Sequence, residues 1–207
     1  MKTLTKEMQN AITPTMALNL LKDGNKRFVN NLKFNRNLLQ QANETSDGQH
    51  PFAVILSCID SRTSAELIFD QGLGDIFSAR IAGNIVNEDI LGSMEFGCKV
   101  AGAKIIVVLG HTKCGAIKGA CDNVALGNLT GLIAKIKPAV DQETTTTENR
   151  TSSNANFVEN VAELNVSLSV KNVLLQSPII AEMVKNDEIG IVGGVHDISS
   201  GEVKFFE

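Results

Sequence analysis

The sequence predicts an α/β protein. We expect a mostly parallel central sheet of about four strands, an added antiparallel C-terminal strand, flanking helices and an N-terminal helical arm. Three observations predict it. Two near-continuous apolar runs of strand length, FAVILSC at 52–58 and AKIIVVLGH at 103–111, have the pattern of strands buried on both faces. Segments of helical spacing alternate with the strands, as parallel strands require of their connections. Near the end, SSGEVKFF follows an apolar strand and reads as a tight turn with an antiparallel return.

The elements follow in order. Residues 15–30, TMALNLLKDGNKRFVN, place Ala17, Leu20, Leu21 and Phe28 at helical spacing, with Thr15 as the expected N-cap. Residues 31–50 are polar and rich in Asn and Gln, and read as an arm crossing a surface. After the first strand, 64–71 reads as a short helix and 75–81 as a strand. Residues 88–103 carry helical periodicity through Ile90, Met94, Cys98 and Ala101. Helical segments are expected near 115–124 and 128–138, and 141–156 reads as a solvated loop without core-forming content. Phe157 to Lys185 reads as two helices, the second opened by Ser177 as N-cap and Pro178 at its first position. EIGIVGGVHD, 188–197, is the last long strand. There is no internal repeat and no interior boundary. We therefore expect one domain, with 1–50 as helix and arm and 51–207 as the α/β body.

Composition narrows the function. The 207 residues are 43% apolar and 20% charged, which suits a folded globular chain. A net charge of −4 gives no electrostatic footprint for nucleic acid, and with no Trp or Tyr only the 9 Phe could stack on bases. No apolar run approaches the ~20 residues of a membrane span. The first residues lack a continuous apolar core of a signal peptide, so a cytoplasmic protein is expected. Four cysteines are too few for a disulfide scaffold at this length, so clustered ones point to metal or catalysis.

In open parallel sheets, ligands bind beyond the carboxyl ends of the strands. The first strand ends in Cys58-Ile59-Asp60-Ser61-Arg62, and the 103–111 strand in His111-Thr112-Lys113-Cys114-Gly115. Cys58, His111 and Cys114 make a Cys₂His set, an arrangement for zinc that leaves a fourth position open. Asp60 and Arg62 lie two apart and can pair. Asp60 would be either a fourth ligand or the acceptor of a hydrogen bond from zinc-bound hydroxide.

These motifs resemble the β-class carbonic anhydrases. The likeness extends to Arg80-x-Ala82-Gly83-Asn84 and to Gly194-Val195-His196-Asp197 with Ser200-Gly201-Glu202-Val203, and covers about residues 15–207. It implies a lyase that hydrates CO₂ reversibly to bicarbonate and a proton. One Zn²⁺ per chain, on Cys58, His111 and Cys114, would make hydroxide available near neutral pH. It implies that the Asp60–Arg62 dyad either orients the hydroxide or, in a closed form, gives Asp60 to the metal. Gln49, in Gly48-Gln49-His50-Pro51, matches a glutamine that donates its amide to substrate from a neighbouring subunit's side. Phe77, Phe96 and Ala82 fall near positions that line the CO₂ pocket, and the Gly115 N–H could face bicarbonate. Family members are dimers or higher assemblies, so a homodimer or dimer of dimers is expected, with the N-terminal segment gripping a partner. Two alternatives are a COS or CS₂ hydrolase on the same fold and a non-catalytic zinc-binding protein.

Other candidates recede. His50 reads as a solvated loop residue, His196 as packing, Cys98 and Cys121 as core. The Asn-x-Ser/Thr matches at Asn43, Asn128, Asn149 and Asn165 read as chance. Some members of the class carry a non-catalytic bicarbonate pocket of Trp, Arg and Tyr that favours the closed metal. The matching positions here are Ile55, Arg80 and His196, so that pocket cannot form in its usual composition. Asp60 is accordingly expected to stay off the metal at neutral to alkaline pH.

Overall fold

In the computed structural model, which describes residues 3–206, one five-stranded sheet is covered by helices on both faces. Its strands are β1 (Ala53–Ser57), β2 (Ile76–Arg80), β3 (Ile105–His111), β4 (Gly190–His196) and β5 (Val203–Phe205). The order is β2-β1-β3-β4-β5; the first four run parallel and β5 runs antiparallel. The chain steps from β1 to β2 on one side, then returns to place β3 on the other side of β1. That reversal opens a crevice between the carboxyl ends of β1 and β3.

All residues of β1 and β3 are buried, as their unbroken apolar runs require. On one face Ala53, Ile55, Val107 and Leu109 meet Ala17, Leu21, Ile68 and Phe69 from α2 (Pro14–Val29) and from α4 (Ala65–Ile68) with the residue that follows it. On the other, Val54, Leu56, Ile106 and Val108 meet Met94 of α5 (Glu88–Glu95), Val166 and Val173 of α9 (Ala155–Gln176) and Ile180 of α10 (Pro178–Lys185). A third cluster lies beyond the strand ends. There α6 (Gly115–Cys121), α7 (Gly127–Ala134) and α8 (Lys137–Gln142) pack on the first turns of α9.

Helix α2 lies against α4 without a spacer. A Cβ on Gly24 would fall 1.8 Å from the Phe69 carbonyl oxygen, a backbone atom that cannot swing away. Gly24→Ala should therefore cost about 3 kcal/mol or more, read from the urea midpoint at unchanged slope.

Several sequence expectations are corrected. The α2 N-cap is Thr13 rather than Thr15; it accepts from the Met16 N–H, with Pro14 at the first helical position. A further helix, α1 (Lys6–Ala11), precedes it. The arm at 31–50 contains α3 (Leu38–Glu44), capped by Asn37. The helix expected over 88–103 is α-helical only to Glu95; Phe96–Val100 form a π-turn, closed by the Ala101 N–H donating to the Phe96 carbonyl. Gly97 allows this turn to press on the sheet, since a Cβ there would meet Val54 Cγ2 at 2.6 Å. Helix α9 starts at Ala155 because Asn154 caps it.

The loop at 141–156 is not merely solvated. Glu143 is buried and pairs with Arg150 at 2.7 Å, and it accepts from Thr145, Thr146 and Asn160. Burial raises its pKa, but the hydrogen bonds of Thr145, Asn160 and Thr146 more than reverse that and hold the carboxyl at about 2. The unfolded chain then binds this proton first as pH falls. The stability from Glu143 is present above about pH 4.5 and lost between there and about pH 2. Melting temperature followed from pH 6 to pH 3 should fall more steeply for wild type than for Glu143→Gln.

Candidate metal centre

Each strand end delivers its part of the site. Cys58 follows β1, His111 closes β3, and Cys114 caps α6. The parallel pairing of β1 with β3 makes these ends neighbours. The two Sγ atoms are 4.0 Å apart, and the ligand atoms of all three residues lie within 4.8 Å of one another. All three residues are buried.

The donor set fits a thiophilic dication. His111 Nδ1 lies 2.9 Å from the Thr112 carbonyl oxygen, which places its proton there and leaves Nε2 as an acceptor. That Nε2 is buried and makes no hydrogen bond among the described residues, an omission that a metal would satisfy. The Gly83 N–H donates to Cys58 Sγ at 3.4 Å, and the N–H groups of Ala116 and Ile117 point to Cys114 Sγ. Gly83 reaches this position at φ +69° and packs where a Cβ would meet Ile136 Cδ1 at 2.6 Å. A hydrogen bond from the Cys114 thiol lowers the Cys58 pKa, and the same bond, with burial, drives Cys114 the other way. A dication would favour both as thiolates.

Asp60 and Arg62 form the expected pair. Arg62 donates from Nη2 to Oδ2 at 2.7 Å and from Nε to Oδ1 at 2.9 Å, and its backbone N–H adds a third bond. The side-chain bonds of Arg62 hold the Asp60 carboxyl well below the usual carboxylate range. Oδ2 lies 4.0 Å from His111 Nε2, so the carboxylate borders the ligand triad. Sequence reasoning missed how the backbone of this loop is held. Arg80, on β2, donates to the Cys58 carbonyl at 3.0 Å and to the Asp60 carbonyl at 2.6 Å. Its register opposite Ser57 could have flagged it.

A cavity of about 370 Å³ adjoins Cys58 and Asp60. Ala82, Gly115, Val124, Leu129 and Ile133 line it, and its surface is mainly apolar. Ala82 and Gly115 thus share a cavity with Cys58 and Asp60. Phe77 and Phe96 do not; their ring centroids are 6.2 Å apart in a separate groove with Val54 and Ala79. Gln49 is exposed and precedes β1, so the whole strand, roughly 16 Å at ~3.3 Å per residue, separates it from Cys58. Within one protomer, then, these three residues stay apart from the triad. Ile55 is core, and His196 is buried beside β3, its pKa pushed down to about 4 by burial and then by His111. Cys98 and Cys121 are buried and are not part of the triad, although Cys121 shares the apolar cluster of Cys58 and Cys114; Asn165 is buried, donating to the Gly83 carbonyl at 2.9 Å. No helix among the described residues is long and apolar enough to cross a membrane.

Comparison with known proteins gives the same reading. Residues 53–203 match the protein-family profile described as carbonic anhydrase. Carbonic anhydrase 2 of Mycobacterium tuberculosis is 33% identical over 195 residues, 91% of this chain and 90% of that protein. Among solved structures, the β-carbonic anhydrase CafA of Aspergillus fumigatus superposes with a TM-score of 0.73 at 26% identity, covering 82% of this chain and 81% of that one. A structure from a study of two tetrameric β-carbonic anhydrases of Sordaria macrospora gives 0.68 at 27% identity, covering 78% and 83%. The chain belongs to the β class of the carbonic anhydrase family, whose reaction is the reversible hydration of CO₂.

Proposed function

We propose that the chain carries out this reaction with Zn²⁺ held by Cys58 Sγ, His111 Nε2 and Cys114 Sγ. The observation that carries the proposal is the buried His111 Nε2, which makes no hydrogen bond among the described residues and lies beside two thiols. Zinc bound there would supply Lewis acidity, making water a nucleophile near neutral pH.

The chain's own groups do the rest. Asp60, ionised and acceptor-only, takes the hydrogen bond of the attacking water and so orients it toward the cavity. Arg62 keeps that carboxylate charged and engaged on its own side, which would leave a metal held by the three ligands free to take water. The wall of Ala82, Val124, Leu129 and Ile133 receives CO₂, an uncharged molecule that needs no polar partner. The same wall disfavours the anionic product, which aids its departure. We assign the Gly115 N–H to a bicarbonate oxygen.

Gln49, Phe77 and Phe96 enter the same proposal as residues supplied across a subunit interface. Phe96 is 55% exposed, and Leu32, Leu38 and Leu39 of the N-terminal arm are more than half exposed, which supports burial against a second copy. We propose a homodimer or dimer of dimers with the 1–50 segment at its interface; the Sordaria relatives are tetrameric. A two-thiolate site needs reduced sulfur, so a cytoplasmic location belongs to the proposal.

Turnover of CO₂ and of CS₂ by the zinc-loaded protein tests the substrate. We expect CO₂ hydration to exceed CS₂ hydrolysis; the opposite order would make the chain a hydrolase of sulfur heterocumulenes. A zinc-loaded crystal structure at pH 8 should show Asp60 on Arg62, and an Asp60–zinc bond would contradict the open site.

A further inference from the structure

We infer that Glu159 is a positioning residue for the metal centre, holding the turn that sets Cys114 against His111. The inference rests on the zinc reading above. Only Thr112 and Lys113 separate the two ligands, and within them the chain must pass from β3 into α6. Lys113 makes the reversal at φ +56°. A residue with a Cβ adopts that left-handed conformation only where its surroundings hold it.

Glu159 supplies the hold. Its Oε1 accepts the Lys113 backbone N–H at 2.9 Å. Glu159 lies in the second turn of α9, whose Phe157, Val158, Val161 and Ala162 share one apolar cluster with Cys58, Cys114 and Ile117. The acceptor is therefore carried by an element packed against the ligands themselves. The other side of the turn is tied to the β4–β5 connection. The Thr112 N–H donates to the His196 carbonyl at 3.0 Å, the Ile198 N–H to Thr112 Oγ1 at 3.1 Å, and Lys113 Nζ to Ser199 Oγ at 3.1 Å. These bonds position Thr112 and the Lys113 side chain. The Lys113 peptide N–H, next to Cys114, depends on Glu159. Released, Lys113 relaxes toward negative φ and carries the Cys114 sulfur off its place opposite His111 Nε2.

The test measures the zinc dissociation constant of the full chain by competition with a chelator. Partners that orient metal ligands are typically worth ~10–100-fold in affinity, and we expect that loss in Glu159→Ala. Glu159→Gln keeps an acceptor oxygen and should stay within a few-fold of wild type. Adding Lys113→Gly to Glu159→Ala should recover most of the loss, because glycine takes positive φ freely. The visible spectrum of the cobalt-substituted protein should change in Glu159→Ala and return in the rescued variant. Unchanged affinity with only a lowered melting temperature would make Glu159 structural and overturn the inference. If Glu159→Ala does not fold, a tenfold or greater loss in Glu159→Gln would overturn it equally. A wild type that binds no zinc overturns the zinc reading instead, a distinct outcome.

Discussion

Cys58→Ser should leave a folded protein that holds no zinc and hydrates CO₂ no faster than buffer. The thiol sits 4.0 Å from Cys114 Sγ and receives the Gly83 N–H, an environment that stabilises a thiolate. A serine hydroxyl does not ionise near neutral pH and is a poor ligand for a thiophilic ion. The fold should survive, since serine fits the space and β1 packs through Val54, Ile55 and Leu56. Zinc per chain by elemental analysis, with circular dichroism for folding, checks the outcome. Cys98 and Cys121 are the controls. Burial pushes their thiols up to about 12 and about 11, and neither is in the triad. Serine at either should lower stability and leave the zinc in place. A Cys58→Ser protein with one zinc per chain and full rate would end the ligand assignment.

Asp60→Asn should separate binding from turnover. Asp60 borders the triad at 4.0 Å from His111 Nε2 but is held by Arg62, so the variant should bind zinc as wild type does. Its kcat/KM should fall by about 10²-fold or more, because an amide cannot serve as an acceptor-only group beside the reacting water. Arg62→Ala should act differently. Without Arg62 the Asp60 pKa moves back up toward its ordinary range and the carboxylate is free to turn to the metal. Loss of rate in this variant should therefore be largest at the acid end of the active range. Stopped-flow CO₂ hydration from pH 7 to pH 9 distinguishes the two patterns.

How much was legible in the sequence divides along one physical line. Strands β1 and β3 are visible because they are buried on both faces, and such strands are written in apolar residues alone. Their last residues then mark the crevice, which is why Cys58, Asp60, His111 and Cys114 could be read together. What periodicity misses is buried polarity. Helix α1 is held by Gln9, which is buried and donates to the Pro51 carbonyl at 2.7 Å and to the Ala101 carbonyl at 2.8 Å. Helix α3 is held by Gln41, also buried, whose side-chain oxygen accepts the Leu73 N–H at 3.3 Å. The loop after α8 is organised on Glu143. Each reads as solvent-facing in a hydrophobic pattern, and each is core by hydrogen bonding. Neighbouring threonines at 13 and 15 offer equal caps until Pro14 decides between them. Strand order is likewise unwritten in local pattern. Without it, sequence reading cannot know that Phe77 and Phe96 face another groove; Gln49, by contrast, stands before β1 and Cys58 after it, so residue order alone could have set them apart.

The rate at which the zinc-loaded wild-type chain hydrates CO₂, followed by stopped flow at pH 8.5, is the sharpest test of the Cys58–His111–Cys114 zinc assignment. That assignment predicts a rate proportional to zinc-loaded protein, with kcat/KM of about 10⁴ M⁻¹s⁻¹ or higher, within the usual range of enzymes. A zinc-loaded, folded wild type with no rate above buffer would contradict it.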